Sequence, residues 1–277
     1  MLFAFKVTGN FCFWCVFLYF CGVIKQTTIM MKRVLLGVML LLPCMGLWAQ
    51  HHNIKEIRGT RYEVTSALDG AHKKSLDALL APYKKGVDSI VAPVLGESKV
   101  AMTGGRPESL LGNWAADALV EQSNFDGKGK ADMGLFNVGG LRNNMPRGVV
   151  RQGDIMLISP FQNFLCVVQL KGTELMELFA NIAAVGGEAL SHEVKLVITK
   201  KGELKSATIS GKAVEPERIY NIATLDYVAE GNDKMHALKK RISIRQSDIA
   251  VRDVLMKTIR QHGTIDSKIE GRVVVER

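Results

Sequence analysis

Two apolar segments joined by a short glycine turn constrain the fold of this chain most strongly. Residues 194–199 and 204–210 flank Lys200, Lys201 and Gly202, a pattern typical of a β-hairpin. A hairpin connects antiparallel strands, so a purely parallel sheet is excluded. Because apolar residues recur at helical spacing before and after the hairpin, the sequence predicts an α+β fold in which a mixed β-sheet is flanked by helices.

Four helices are predicted from apolar spacing and capping residues. Thr173 is expected to cap one of them, whose apolar face carries Leu175, Leu178, Phe179 and Ile182. Ser109 is expected to begin another, because a hydroxyl ahead of the first turn stabilises a helix N-terminus. Ser247 and Asp248 are expected to begin the last helix, which ends at Gly263. The first helix contains Pro82, which predicts either a kink or a second helix that starts there. Its apolar face carries Leu76, Leu79, Leu80, Tyr83, Val87 and Ile90.

The N-terminal region predicts export. Residues 30–49 have a basic start, an apolar centre and a small residue, Ala49, where a signal peptidase would cut. Residues 1–29 are interpreted as an over-extended start, with a membrane span as the alternative that their length allows. Lipidation of Cys44 is disfavoured by Pro43 before it. The prediction is a periplasmic or secreted protein with no stable membrane span in its mature form, a linker with docking helices at 50–96, and one domain at 97–277.

The cysteine content and the net charge bear on disulfide formation and on the kind of ligand that the protein could bind. Once residues 1–49 are removed, Cys166 is the one cysteine left, so no internal disulfide is expected. The same removal takes away four basic residues and no acid, and the formal net charge falls from +9 to +5. That mild basicity suits an anionic small ligand as well as it suits nucleic acid, so the net charge does not decide between them. The basic residues are scattered rather than clustered with aromatic ones, which argues against nucleic acid as a partner.

Three polar stretches lie beside predicted strands. SPFQNFL, at residues 159–165, offers the ring of Phe161 and the amide of Asn163 before the apolar run LCVVQL. NVGGLR, at 137–142, follows MGLF, and DYVAEGND, at 226–233, follows IYNIATL. A ring face and an amide at the mouth of a strand suit a flat polar heterocycle. Taken singly, each ring is more typical of core packing, and a GG turn with an arginine is weak evidence.

In order and spacing, these stretches and ESLLGNWAADA at 108–118 resemble the C-terminal nucleotide-binding domain of the 5′-nucleotidases, the secreted group that includes the UDP-sugar hydrolases. The resemblance runs from about Arg106 to Asp233. It implies that Phe161 and Tyr227 hold a nucleobase between them, with tyrosine where the family usually has phenylalanine. Stacking on an aromatic ring contributes roughly 1–3 kcal/mol per base. Asn163 is expected to bond the base edge, since an amide both donates and accepts.

The resemblance assigns the glycine turn to the ribose and phosphate end of a nucleotide. Asn137, Gly139 and Gly140 match the family's turn, where glycines permit positive φ and let the backbone approach a ligand. Arg142 is expected to meet the phosphate, because a planar guanidinium can engage two phosphate oxygens at once.

Two further positions carry over from the family. Asp233 matches the carboxylate that accepts hydrogen bonds from the ribose hydroxyls; the family commonly has Gly-Gly-Asp where this chain has Asn232 before the aspartate. Arg106 lies close to the position of the family's phosphate-binding arginine. Because Pro107 follows it, the alignment of Arg106 with that arginine is left open.

The family's hydrolytic centre has no counterpart in the sequence. In the 5′-nucleotidases a separate N-terminal metallophosphatase domain holds two metal ions, which polarise the phosphate and generate hydroxide. The six histidines of this chain include none in an Asp-x-His, Gly-Asn-His or His-x-His arrangement. No cofactor is therefore expected in this chain, and divalent metals are expected in a partner.

Three functional hypotheses remain open from the sequence. The leading one is the recognition module of a split 5′-nucleotidase, in which a separately encoded metallophosphatase chain cleaves a nucleoside monophosphate or related nucleotide bound here. The second is a non-catalytic exported protein that binds nucleotides or nucleosides. The third is a repurposed domain that has lost nucleotide binding.

Overall fold

A computed structural model describes residues 72–276, together with the isolated residues 59, 61 and 63. The predicted start region, the signal peptide and the lipidation alternative at Cys44 lie outside the described residues. All described elements belong to one compact unit, residues 69–277. None of the helices between residues 72 and 276 is long and apolar enough to cross a bilayer.

The regular elements of this unit follow one another in a mixed order of helices and short strands. In chain order they are α1 His72–Val91, β1 Val94–Ser98, α2 Leu110–Glu121, β2 Met133–Phe136, β3 Gly148–Arg151, α3 Gln152–Ile158, β4 Phe164–Lys171, α4 Gly172–Ala184, β5 Ala189–Leu190, β6 Val194–Ile198, β7 Leu204–Ile209, β8 Lys212–Ala213, β9 Ile219–Leu225, α5 Asp226–Ala229, β10 Ser243–Ala250, α6 Val251–His262, β11 Thr264–Ile265 and β12 Val273–Val275.

The central sheet has the strand order β10-β4-β9-β2-β5. β4 pairs antiparallel with both β10 and β9, whereas β2 runs parallel to β9. Two smaller sheets, β11-β1-β3 and β12-β6-β7-β8, also combine parallel and antiparallel pairs. The predicted hairpin is β6–β7. The predicted fold class, α+β with mixed sheets flanked by helices, is therefore confirmed.

The start of α2 explains two residues that are unfavourable in a helix. Ser109 is the N-cap, as predicted, and its Oγ accepts a hydrogen bond from the Gly112 amide at 3.2 Å. A Cβ on Gly112 would lie 2.9 Å from the Cβ of Ala189 in β5. Asn113 is buried, and its Nδ2 donates to Glu108 at 2.7 Å and to the Lys268 carbonyl at 2.8 Å. Tight packing, rather than a ligand, accounts for both residues.

Two predictions about helix starts are wrong. Ser247 and Asp248 lie within β10, and α6 begins at Val251. β10 is the outermost strand of the central sheet, and alternate side chains on it face solvent. Its polar residues therefore resemble the start of a helix. Instead of capping, the Ser247 hydroxyl donates to the Leu165 carbonyl at 2.7 Å. Thr173 lies inside α4, whose N-cap is Lys171, so it does not cap that helix. Of the two alternatives at Pro82, a second helix is excluded, because Pro82 lies inside the continuous helix α1.

Cys166 lies in the middle of the central sheet and is fully buried. Burial raises the pKa of its thiol to about 12, because a thiolate is poorly solvated there. In a form lacking residues 1–49, we expect no reaction with a disulfide-exchange reagent at pH 8 in the native state and one equivalent after denaturation, since the thiolate is the reactive species. Rapid stoichiometric labelling of the native protein would contradict this.

Candidate functional site

Three polar segments converge at one edge of the central sheet. Leu165 near the start of β4 is paired with Leu225 at the end of β9. β2 runs parallel to β9, so its carboxyl end reaches the same edge. Residues 137–142, 159–163 and 226–233 therefore all leave or enter the sheet at this edge. The strand pairing brings together segments that lie 96 residues apart in sequence, as the contact between Asn137 and Asp233 shows.

The segment after β2 forms a single 3₁₀ turn, Val138–Gly140, and Asn137 is the N-cap residue before it. Neither glycine of this turn has positive φ, so the left-handed backbone that glycine permits is not used here. Gly140 is required by space, because a Cβ would lie 2.7 Å from the Asn137 Oδ1. Gly139 is exposed, and the nearest atom to a Cβ there would be the Asp233 Oδ2 at 3.8 Å. The turn thus presents bare backbone beside a carboxylate.

The side chain of Glu188 holds this turn in place through a hydrogen bond to its backbone. The residue is buried, and its Oε2 accepts a hydrogen bond from the Val138 amide at 2.6 Å. Its Oε1 is ion-paired with Arg106, whose Nε also donates to the Gly187 carbonyl at 2.7 Å. Burial raises the pKa of Glu188, against the opposing effects of the Val138 amide and Arg106. Arg106 therefore reaches the region of the site, but its guanidinium is engaged by Glu188.

Sequence reasoning missed Glu188. The available signal is an acidic residue between two glycines and the apolar pair of β5, in the run VGGEAL at 185–190. An acid in such an apolar setting requires a partner. Its partner Arg106 lies 82 residues earlier in the chain, a separation that no local pattern reveals.

Asp233 links the first and third segments. Its Oδ2 accepts a hydrogen bond from the Asn137 Nδ2 at 2.6 Å, and its Oδ1 accepts from the Tyr227 hydroxyl at 3.3 Å. The negative charge of Asp233 raises the pKa of Tyr227. Gly231 has φ +79°, a left-handed conformation that favours glycine, and Asp233 itself has φ +52°. The Asn137 Oδ1 is buried and has no hydrogen-bond partner among the described residues.

The two predicted rings are unusually open. Phe161 and Tyr227 are each 43% exposed, whereas large aromatic residues of the core such as Phe136 and Phe179 are fully buried. The guanidinium carbon of Arg142 lies 5.6 Å from the centre of the Phe161 ring. Arg142 also donates from Nη1 to the Gly139 carbonyl at 3.3 Å. Arg142 thereby connects the Phe161 segment to the glycine turn.

Asn163 stands beside Phe161 at the entry to β4 and is half-buried. Its backbone carbonyl accepts a hydrogen bond from the Val251 amide at 2.8 Å, which anchors the segment to α6. Its side-chain amide makes no hydrogen bond within residues 72–276 and is free to bond a ligand.

A metal-ligand arrangement occurs elsewhere in the described part of the chain. Ligand atoms of Asp117, His192 and Glu193 lie within 4.8 Å of one another. However, both Asp117 oxygens accept hydrogen bonds from Arg272 at 2.8 Å. A cation there would have to compete with a guanidinium, which makes these three residues a poor metal site.

Comparison with known proteins identifies the family. The profile described as 5′-nucleotidase, C-terminal domain, matches residues 94–240, just over half of the chain. This chain belongs to that family. The match includes all three segments that converge at the sheet edge.

Several curated proteins are similar to this family member. A protein named UshA from Yersinia enterocolitica is 24% identical over 218 residues, which cover 77% of this chain and 39% of the relative. An apyrase from Tabanus yao is 25% identical over 210 residues, covering 65% of this chain and 37% of the relative. The chain thus spans about two fifths of the length of these relatives.

Solved structures share the fold of the domain. The 5′-nucleotidase precursor from Thermus thermophilus superposes with a TM-score of 0.65 at 24% identity, covering 72% of this chain and 42% of that one. The NAD nucleotidase of Haemophilus influenzae gives a TM-score of 0.59 at 17% identity, with 80% and 47% covered. At these identities the likeness shows the fold alone.

Proposed function

We propose that this chain is the nucleotide-recognition module of a split 5′-nucleotidase, exported from the cytoplasm and used in nucleotide catabolism. It binds a nucleoside monophosphate or a related nucleotide, and a separate metallophosphatase chain supplies hydrolysis. The observation that carries the proposal is the placement of two half-exposed rings, Phe161 and Tyr227, at one sheet edge together with Arg142 and Asp233. Open rings beside an arginine and a carboxylate match the three parts of a nucleotide.

Each part of the ligand has a suitable partner in the proposed site. Phe161 and Tyr227 stack on the base, and Asn163, with its free amide, bonds the base edge. Asp233 accepts from the ribose hydroxyls, because a carboxylate that already accepts from Asn137 and Tyr227 still has lone pairs available. Arg142 engages the phosphate with two parallel N–H groups.

Asn137 and Glu188 position the site rather than contact the base. Asn137 holds Asp233, and Glu188 holds the turn that carries Gly139 and Gly140. Arg106 remains a candidate for the phosphate through its exposed guanidinium edge, although its ion pair with Glu188 makes it a weaker one than Arg142.

Catalysis in this proposal is shared between two chains. This chain fixes the orientation of the nucleotide, and a correctly oriented phosphate removes much of the entropic barrier to attack. The divalent metals that activate water belong to the metallophosphatase chain. The alternative is an exported binding protein that never takes part in hydrolysis; it is favoured only by the absence of a catalytic motif from the sequence.

Changing either ring to alanine is expected to weaken binding of AMP by roughly 5- to 150-fold, the equivalent of 1–3 kcal/mol of stacking. Calorimetric titration of AMP into the wild type, Phe161→Ala and Tyr227→Ala measures this. Ile269→Ala is the control, since Ile269 is an exposed apolar residue between β11 and β12, away from the site. Tyr227→Phe keeps the ring and is expected to stay within about threefold of the wild type. Unchanged affinity in both alanine variants would overturn the sandwich.

The split-enzyme part has its own test. Mixing the protein with a separately encoded metallophosphatase chain, in the presence of a divalent metal, is expected to raise phosphate release from AMP above that of either chain alone. The stimulation should be lost in Phe161→Ala and kept in Ile269→Ala. AMP binding without stimulation across common nucleotides and metals would instead support the binding-protein alternative.

A further inference from the structure

Helix α1 carries an apolar face that no described element covers. Six large apolar side chains on it are between 49% and 71% exposed: Leu76, Leu79, Leu80, Tyr83, Val87 and Ile90. Soluble proteins rarely leave an apolar patch of this kind without a binding role. An isolated helix of this length is also marginal in water unless its apolar face is packed.

Within residues 72–276, the contacts that fix the helix to the domain lie near its carboxyl end. There the Arg151 Nη1 donates to the Ala92 carbonyl at 2.8 Å, and the Gln152 amide donates to the Pro93 carbonyl at 2.9 Å. A Cβ on Gly153 would lie 2.9 Å from the Cβ of Val91, so α3 packs closely on this end. These contacts hold the helix while leaving its apolar face open.

The spacing of the apolar residues is that of a two-helix seam. Leu76, Leu80, Tyr83, Val87 and Ile90 are separated by 4, 3, 4 and 3 residues, the repeat that keeps one stripe facing a partner helix. Leu80 and Val87 occupy the first core position of the seven-residue repeat, and the other three occupy the second.

We propose that two copies of this chain associate through α1, with the two helices antiparallel. In an antiparallel seam, each first core position packs on a second core position of the other helix. Leu80 of one copy then packs on Tyr83 of the other, and Leu76 packs on Val87, with both pairs repeated by the twofold axis. Every core position from 76 to 87 finds an apolar partner in this register.

Charge complementarity selects this arrangement. In the same register, Asp77 of one copy lies beside Lys84 of the other, and the symmetry makes two such pairs of opposite charge. Leu79 lies beside Gly86, where the lack of a side chain leaves open space. In a parallel pair, Lys84 would instead face Leu79 and make no ion pair. Pro82 lies on the outer side of the helix, where it does not interrupt the seam.

Charge reversal tests both the surface and the direction of pairing. We expect the wild type to sediment as a dimer at micromolar concentrations. Asp77→Lys and Lys84→Asp should each weaken self-association roughly tenfold, because each places like charges together twice. An equimolar mixture of the two variants should regain the dimer, since each charge then meets its opposite. Light scattering after gel filtration and analytical ultracentrifugation measure these outcomes.

Neighbouring charges outside the seam provide matched controls. Lys85→Asp and Asp88→Lys make the same charge changes on the outer side of α1 and should leave the dimer intact. A monomeric wild type would overturn the proposal, and so would a dimer insensitive to the reversals at Asp77 and Lys84. Leu80→Glu, at an exposed position that the fold does not need, should give a folded monomer that still binds AMP as the wild type does. The outcome is therefore independent of the proposed nucleotide site.

Discussion

Replacing Arg272 by methionine is expected to lower the free energy of unfolding by about 2–4 kcal/mol, because buried hydrogen-bond acceptors around it are left without donors. Arg272 is 3% exposed. Its guanidinium donates to both Asp117 oxygens at 2.8 Å and to Glu270 at 2.8 and 3.0 Å. Burial lowers the pKa of Arg272, but the hydrogen bonds to Asp117 and Glu270 outweigh it and the net shift is upward.

The same guanidinium joins distant parts of the chain. Its Nη1 also donates to the carbonyls of Asn113 in α2 and Leu190 in β5. Methionine fills a similar volume without donors, so the two carbonyls and the carboxylates of Asp117 and Glu270 would lose partners at once. Chemical denaturation followed by circular dichroism measures the change. Arg260→Met, at an exposed position of α6, is the control and should change stability by less than about 0.5 kcal/mol.

Glu188→Ala is expected to cost about 2–3 kcal/mol and to weaken AMP binding as well. The change leaves the Val138 amide without its acceptor and Arg106 without its ion pair; a buried unpaired donor alone costs about 1–3 kcal/mol. The turn at Val138–Gly140 would then lose the contact that fixes it. Denaturant unfolding and AMP calorimetry measure the two effects. The control Glu217→Ala removes an exposed ion pair with Lys171 and should affect neither quantity.

The pH dependence of stability separates the charge of Glu188 from its hydrogen bond. Because the folded-state pKa of Glu188 is raised, folding favours the protonated form. The stability that this protonation contributes is fully present below the unfolded-state pKa of 4.5 and is lost as pH rises through the folded-state pKa. Glu188→Gln keeps an acceptor for Val138 and has no titrating group. As pH rises above about 4.5, the wild type should therefore lose stability relative to Glu188→Gln. A stability difference that does not change with pH would contradict the raised pKa.

The elements predicted well from sequence are those with long apolar patterns. The hairpin β6–β7 and the strand after SPFQNFL form where periodicity placed them, and the α4 residues Leu175, Leu178, Phe179 and Ile182 are buried. β10 was missed because its residues SIRQSDIA lie at a sheet edge, where one face stays polar. β5 and β11 have two residues each, too few to show any period.

The candidate site was likewise predicted from the sequence only in part. The motif stretches were predicted because each lies next to a buried strand, and strand pairing then brings their ends together. The contacts that shape the site were not predictable, since Asn137 meets Asp233 across 96 residues and Arg106 meets Glu188 across 82. Such pairs depend on sheet order, which a single sequence does not reveal.

Under the proposed function, a base that stacks on the face of Phe161 turned towards Arg142 competes with the guanidinium for the ring. The face of Phe161 that the guanidinium covers is unavailable to a base until the arginine moves. A nucleoside monophosphate compensates for that displacement, because its phosphate offers the arginine a stronger partner than the ring. A nucleoside or free base offers no such exchange. Under the proposed function, the site therefore favours phosphorylated ligands over their dephosphorylated products, and release of the product is assisted as the arginine returns to the ring.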